Sequence, residues 1–67
     1  MEVSLNNISR PIAVNSSLHQ LLEDQQLVEK KGIAVAVNNK VVPRMQWAEF
    51  KLNQNDKITV IRATQGG

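Results

Sequence analysis

Ser17-Leu18-His19-Gln20-Leu21-Leu22, the charged stretch that follows to Lys30-Lys31-Gly32, and then Ile33-Ala34-Val35-Ala36-Val37-Asn38-Asn39-Lys40-Val41-Val42-Pro43 decide the fold. The first part reads as one amphipathic helix. Ser17 and Gln20 have capping-box spacing, in which each side chain satisfies a free backbone N–H of the first turn. Leu18, Leu21, Leu22 and Val28 share a helical face, with Gln25 filling the remaining position and Leu27 on its flank. Glu23, Asp24, Gln26 and Glu29 point elsewhere. Lys30-Lys31-Gly32 is expected to close the helix, with cations in the last turn and glycine in the left-handed cap. The apolar run 33–37 suits a central strand. Asn38-Asn39 is a turn signal, after which Lys40-Val41-Val42 returns as a short strand stopped by Pro43.

Outward from this centre the elements are shorter. Glu2 to Ile8 begins with Val3 and Leu5 on one face and Glu2, Ser4 and Asn6 on the other, which is strand period. Asn6-Asn7 is a second turn signal. Arg10 to Val14, with Ile12 and Val14 at period two, is expected to complete a hairpin, and Pro11 fits an edge position or a strand start. Beyond Pro43, Trp47 and Phe50 are three apart and can seat one helical turn against the core. Asn53 to Asp56 is a turn, and Lys57 to Ala63 is the last strand, with Ile58 and Val60 on one face and Thr59, Ile61 and Ala63 on the other. The order is strand, strand, helix, strand, strand, turn, strand. It predicts an α+β fold, a mixed sheet of about five strands with one main helix packed across one face. Residues 1–67 are expected to form a single domain, with Trp47, Leu21, Leu22, Val35 and Ile58 in its core.

Composition narrows the function. The chain has 67 residues and no cysteine. Disulfides, thiolate metal sites and a cysteine nucleophile are therefore excluded. Eight Lys/Arg against six Asp/Glu leave a net charge of +2, and the basic residues are scattered. There is no basic stripe interleaved with aromatics, so no nucleic-acid partner is expected. No apolar run reaches the roughly 20 residues of a membrane span, and the chain opens without a signal-peptide core. The expectation is a cytoplasmic protein with no membrane partner. His19 is the lone histidine and reads as a surface or half-buried helix residue. Glu23 and Asp24 are neighbours that diverge around the helix and read as solvated charges. No glycine-rich phosphate loop is present. The residue types give no catalytic group, no metal site and no bound cofactor.

The end of the chain carries the chemistry. Thr64-Gln65-Gly66-Gly67 follows the last strand and reads as a flexible tail. Glycine lacks a Cβ and fits channels too narrow for other residues. The Gly67 α-carboxylate ionises near roughly 3.3–3.7, so at neutral pH it resists nucleophiles until it is converted to a mixed anhydride with AMP. An amine would then give an isopeptide and a sulfur donor a thiocarboxylate. Four extended residues reach at most about 14 Å, enough to thread a partner's nucleotide site. Gly66, Gln65 and Thr64 are the residues expected to lie in that channel. Ile61, on the open face of the last strand, is the expected docking anchor, with Arg62 supplying charge nearby.

These features together carry a resemblance over essentially the whole chain. Ser17-Leu18-His19-Gln20-Leu21-Leu22, Ala34-Val35-Ala36-Val37-Asn38, Val41-Val42-Pro43-Arg44, Trp47, Asn55-Asp56-Lys57-Ile58 and Gly66-Gly67 resemble the ThiS family, the ubiquitin-like β-grasp sulfur carriers of thiamine biosynthesis. Asn55-Asp56 stands where that family commonly has Gly-Asp. The resemblance implies a cycle in three steps. An adenylating enzyme activates the Gly67 carboxylate with ATP, a cysteine persulfide replaces AMP to leave a thiocarboxylate, and thiazole synthase takes the sulfur. It implies a carrier, not an enzyme, monomeric when free. The sulfur carrier subunit of molybdopterin synthase and a ubiquitin-like protein modifier share the fold and the tail, and a plain binding module with an incidental Gly-Gly remains a further alternative.

Overall fold

In the computed structural model, which describes residues 1–62, the chain forms strands β1 (Glu2–Leu5) and β2 (Ile8–Pro11), helix α1 (Leu18–Asp24), and strands β3 (Ile33–Val37) and β4 (Lys40–Val41). A short 3-10 turn (Arg44–Gln46) and strand β5 (Lys57–Arg62) complete it. The sheet order is β2-β1-β5-β3-β4. Only β1 and β5 run parallel; the other neighbours are antiparallel. Because the last strand inserts between the two hairpins, the chain's own end closes the sheet.

Both hairpins turn on asparagine pairs. Asn6 and Asn7 lie at φ 51° and 70°, and Asn38 and Asn39 at 52° and 71°. Two consecutive positive φ values define the two-residue turn whose twist matches the flanking strands. This sets the register of the first hairpin: Leu5 pairs with Ile8. The second strand therefore spans Ile8–Pro11 and not Arg10 to Val14. Val14 lies outside it and is exposed.

The helix is also shorter than its pattern implies. It ends at Asp24, not at Lys31. Gln26 takes φ 61°. Its N–H donates to the Glu23 carbonyl, and the Leu27 N–H donates to the Leu22 carbonyl at 2.8 Å. That bond pair is the Schellman closure, made here without glycine. Leu27 and Val28 still pack on the core, but from the segment after the helix. Gly32, at φ 73°, serves the entry to β3 rather than a helix cap. At the other end Ser17 accepts the Gln20 N–H at 3.1 Å. The Leu18 and His19 N–H groups go instead to the carbonyls of Phe50 and Trp47, so the segment after the 3-10 turn supplies the acceptors for the first helical donors.

One face of the sheet holds the core. Val3, Leu5, Val35, Val37 and Ile58 meet Leu18, Leu21 and Leu22 of α1, with Val42, Trp47 and Leu52 closing the sides. Trp47 is 1% exposed, and its indole N–H donates to the Val42 carbonyl at 2.9 Å. A buried tryptophan thus keeps its polar atom satisfied. The five core residues expected from the sequence, Trp47, Leu21, Leu22, Val35 and Ile58, are all buried.

Candidate functional site

The site is built around β5, the strand that leads toward residues 63–67. Its first half is held on both sides. β1 pairs Ser4 with Lys57 and Leu5 with Ile58, while β3 pairs with β5 along Ile58–Arg62. Two turn asparagines then fasten it. The Asn6 side chain accepts the Val60 N–H at 2.8 Å, and the Asn38 side chain accepts the Lys57 N–H at 3.0 Å. Asn38 also donates to Asp56, whose other carboxylate oxygen accepts the Asn53 N–H. The residues that turn the two hairpins therefore also grip the strand between them.

Past Val60 only one neighbour remains. Ile61 pairs with Ala34 and Arg62 with Ile33, and no β1 residue reaches this far. Ile61 is 51% exposed. It lies on the open face, opposite the helix, as its alternation with buried Ile58 requires. In register with it on that face are Ala34, then Thr59 beside Ala36, then Val41 on β4. Val41 is 67% exposed. Two alanines between exposed Ile61 and Val41 make a shallow apolar row across three strands. Arg62 does not join it. Its partner Ile33 packs toward the core, so Arg62 sits on the helix side of the sheet. Ile61 and Arg62, adjacent in sequence, address opposite faces.

Val41 is a residue that sequence reasoning missed. The signal was available: a two-residue Asn-Asn turn sets Val37 opposite Lys40 and hence Ala36 opposite Val41. The segment after α1 holds a second overlooked feature. Arg44 donates to the carbonyls of Val28 and Lys30, the latter at 2.8 Å, and its guanidinium lies 4.5 Å from the Trp47 ring centroid. This cation–π contact ties the 28–30 backbone to the core tryptophan and explains why arginine and tryptophan stand three apart. His19 is half-buried and lines an open hollow of about 560 Å³ with Glu23, Gln26, Val28, Glu29 and Lys30. Among the described residues no three His, Cys, Asp or Glu side chains gather to hold a metal, and no helix is long and apolar enough to cross a membrane. Thr64, Gln65, Gly66 and Gly67 lie outside the described residues.

A parallel β1–β5 pair flanked by antiparallel hairpins, with one helix across one face, is the ubiquitin-like β-grasp. A crystal structure of a thiamine biosynthesis protein (ThiS) from Geobacter metallireducens shares this fold with a TM-score of 0.85 at 17% identity, covering 100% of both chains. An NMR solution structure of a thiamine biosynthesis protein from Geobacter metallireducens superposes with a TM-score of 0.75, also at 17% identity, over 100% of this chain and 88% of that one. In sequence, the chain is 34% identical over 68 residues to the sulfur carrier protein ThiS of Escherichia coli (strain K12), covering 100% of each. The ThiS family model matches residues 3–67. The chain belongs to the ThiS family.

Proposed function

We infer that this chain is a sulfur carrier for formation of the thiazole of thiamine, with Gly67 as the atom-bearing end. The observation that carries the reading is the family match running through residue 67 onto a strand whose last residues are free on one side. Partner enzymes act on the tail, and the folded body positions it. The Gly67 carboxylate attacks the α-phosphorus of ATP held by an adenylating enzyme, and pyrophosphate leaves. The outer sulfur of a persulfide then displaces AMP from the acyl carbon. A thiol cleaves the S–S bond, and the thiocarboxylate passes its sulfur to thiazole synthase. The chain itself binds no cofactor and catalyses no step. Gly66, Gln65 and Thr64 occupy the channel, since a Cβ at position 66 would crowd it.

The carrier acts in the cytoplasm and is monomeric when free. Its edge strands support the second point. Met1 and Ile12 exchange hydrogen bonds across the first hairpin, so Pro11 occupies an outward-facing ladder position of β2. The Val42 N–H donates to Val35, which puts Val41 and then Pro43 at the outward positions of the opposite edge. Each edge thus offers one outward N–H, Ser9 or Val41, before a proline without one, and strand addition needs a longer run of donors.

Deleting Gly67 is expected to leave the melting curve unchanged and abolish ATP–pyrophosphate exchange with the adenylating enzyme, because the carboxylate is set one residue back. Wild-type exchange from the truncated chain would overturn the reading. Intact mass after incubation with ATP, that enzyme and a persulfide donor should show one oxygen replaced by sulfur in the full-length chain only.

A further inference from the structure

Backbone groups point alternately to the two sides of a strand, and along β5 the two sides end differently. On the β3 side the Asn38 N–H donates to the Lys57 carbonyl at 2.8 Å, and Thr59 and Ile61 stand opposite Ala36 and Ala34. Lys57, Thr59 and Ile61 therefore turn their backbone groups to β3, and Ile58, Val60 and Arg62 turn theirs the other way. On that other side the Asn6 N–H donates to the Ile58 carbonyl at 2.9 Å, and the Asn6 side chain accepts the Val60 N–H at 2.8 Å. There β1 ends, because Asn6 stands at φ 51° and turns toward β2. Its side chain takes the bond that a continuing strand would take with a carbonyl. Next on this side come the Val60 carbonyl and the N–H and carbonyl of Arg62. Among the described residues, no group bonds to them. They line a slot one strand wide, in line with β1 and beyond its turn. The chain's two prolines, Pro11 and Pro43, stand at the outer edges of the sheet, and residues 57–67 contain none.

We propose that this slot receives an extended backbone segment of the adenylating enzyme, a proposal that rests on the sulfur-carrier reading. Residues 63–67 separate Arg62 from the reacting carboxylate, and five residues span at most about 18 Å. An enzyme that holds Gly67 at its nucleotide therefore lies against this end of β5. In the free chain, water satisfies the unpaired groups. An apolar surface laid over them would bury them without partners, at a cost. A strand laid beside them supplies the bonds. Running parallel, one residue of it donates to the Val60 carbonyl and accepts the Arg62 N–H, which repeats the Asn6 rung one step on. Running antiparallel, one residue exchanges both bonds with Arg62. Pairing of this kind acts only along the strand axis, so it sets the direction in which residues 63–67 leave the body. The added strand's side chain beside Ile61 lies on the open face. Ile61 is 51% exposed and its β3 neighbour is the small Ala34, so an apolar β-branched or aromatic residue suits that position.

The test follows the Arg62 N–H. Hydrogen exchange of the full-length chain is read residue by residue, alone and with saturating adenylating enzyme. The Arg62 amide should exchange fast in the free chain and slow by roughly tenfold or more in the complex. Arg62→Pro is then compared with Arg62→Ala in ATP–pyrophosphate exchange. Both variants lose the guanidinium, and only proline loses the N–H. The β3 ladder does not use that N–H, so the two should melt together. The KM for the carrier should be roughly tenfold higher for Arg62→Pro than for Arg62→Ala. An ester in place of the amide between Ile61 and Arg62 removes the same N–H while keeping the extended backbone, and it should raise the KM as proline does. An Arg62 amide that exchanges as fast in the complex as alone, or an ester chain activated at the wild-type KM, would overturn the slot and leave the carrier reading intact. Wild type that is neither bound nor activated would strike both. Protection of Arg62 that rises with the chain's own concentration, without enzyme, would overturn the proposal in favour of a second copy in the slot.

Discussion

The two halves of β5 differ in everything but sequence character. Lys57 to Val60 is flanked by β1 and β3, buried at Ile58, and held by side chains from both hairpin turns. Ile61 and Arg62 have a ladder on one side only and expose their side chains. Both halves alternate β-branched and polar residues, so local propensity does not separate them. The neighbours do. The first half is where the last strand is tied into the fold from both sides, and the second is where that hold falls to a single ladder.

Ile58 and Ile61 provide the sharpest contrast, because they are the same residue type three positions apart. Ile58 is fully buried among Val3, Leu5, Val37 and the helix leucines. Ile58→Ala removes three carbons from a packed core and should cost about 2–5 kcal/mol. That is a large share of the ~5–15 kcal/mol typical of a whole domain. Urea unfolding followed by Trp47 fluorescence reads it directly. Ile61→Ala should cost under about 0.5 kcal/mol in the same assay. Equal losses at the two positions would erase the distinction between the halves.

The next effect isolates the side-chain grip. Asn38→Ala removes the acceptor for the Lys57 N–H and the donor to Asp56, and it also places a Cβ without a local polar partner at φ 52°. A cost of about 1–3 kcal/mol is expected from the unsatisfied groups, with up to about 1–2 kcal/mol more from the left-handed backbone. Asn38→Gly keeps the turn and loses only the grip, so it should recover the backbone part. Asn39→Gly, at φ 71° with no side-chain bond to β5, should be neutral or slightly stabilising. If Asn38→Gly matches wild type, the Asn38 side chain adds nothing to the hold on the first half of β5.

Much of this architecture is legible in the sequence, and the failures have physical causes. The Asn-Asn pairs mark both turns because few residues tolerate two successive positive φ values. The alternation in 57–63 places Ile58 inside and Ile61 outside. Trp47 is identifiable as core because so small a chain has few large apolar groups to spend. The helix end is not legible. Leu27 and Val28 continue the apolar pattern, since the segment after α1 covers the same core from a different backbone, and Gln26 takes the left-handed cap without a glycine to announce it. The second strand begins before Arg10 because the two-residue turn, taken strictly, pairs Leu5 with Ile8, whereas the apolar Ile8 also extends the pattern of the first strand. Of the two residues expected to dock, Ile61 lies where its phase puts it. Arg62 turns to the other face by the same alternation, and that splits one expected surface into two. The asparagine grip on β5 joins residues more than fifty positions apart in one case, and no local pattern encodes it.

The smallest effect on the fold should accompany a large effect on partners. Ile61→Asp adds a charge to an exposed position whose cross-strand neighbour is Ala34. No buried contact is lost, so stability should change by less than about 0.5 kcal/mol. If the open face is the apolar contact for the adenylating enzyme, binding requires this position to be desolvated, and a carboxylate there opposes that. Affinity measured by titration calorimetry should fall roughly tenfold or more, equivalent to about 1.4 kcal/mol. Val41→Asp tests how far the contact extends. Loss of affinity at both positions makes the row from β5 to β4 one surface with two alanines at its floor, close enough in backbone for a partner side chain to enter. Loss at Ile61 alone confines the contact to the free half of β5. Unchanged affinity at both, with the Gly67 truncation still inactive, leaves tail recognition in place and moves the body's docking surface off the open face.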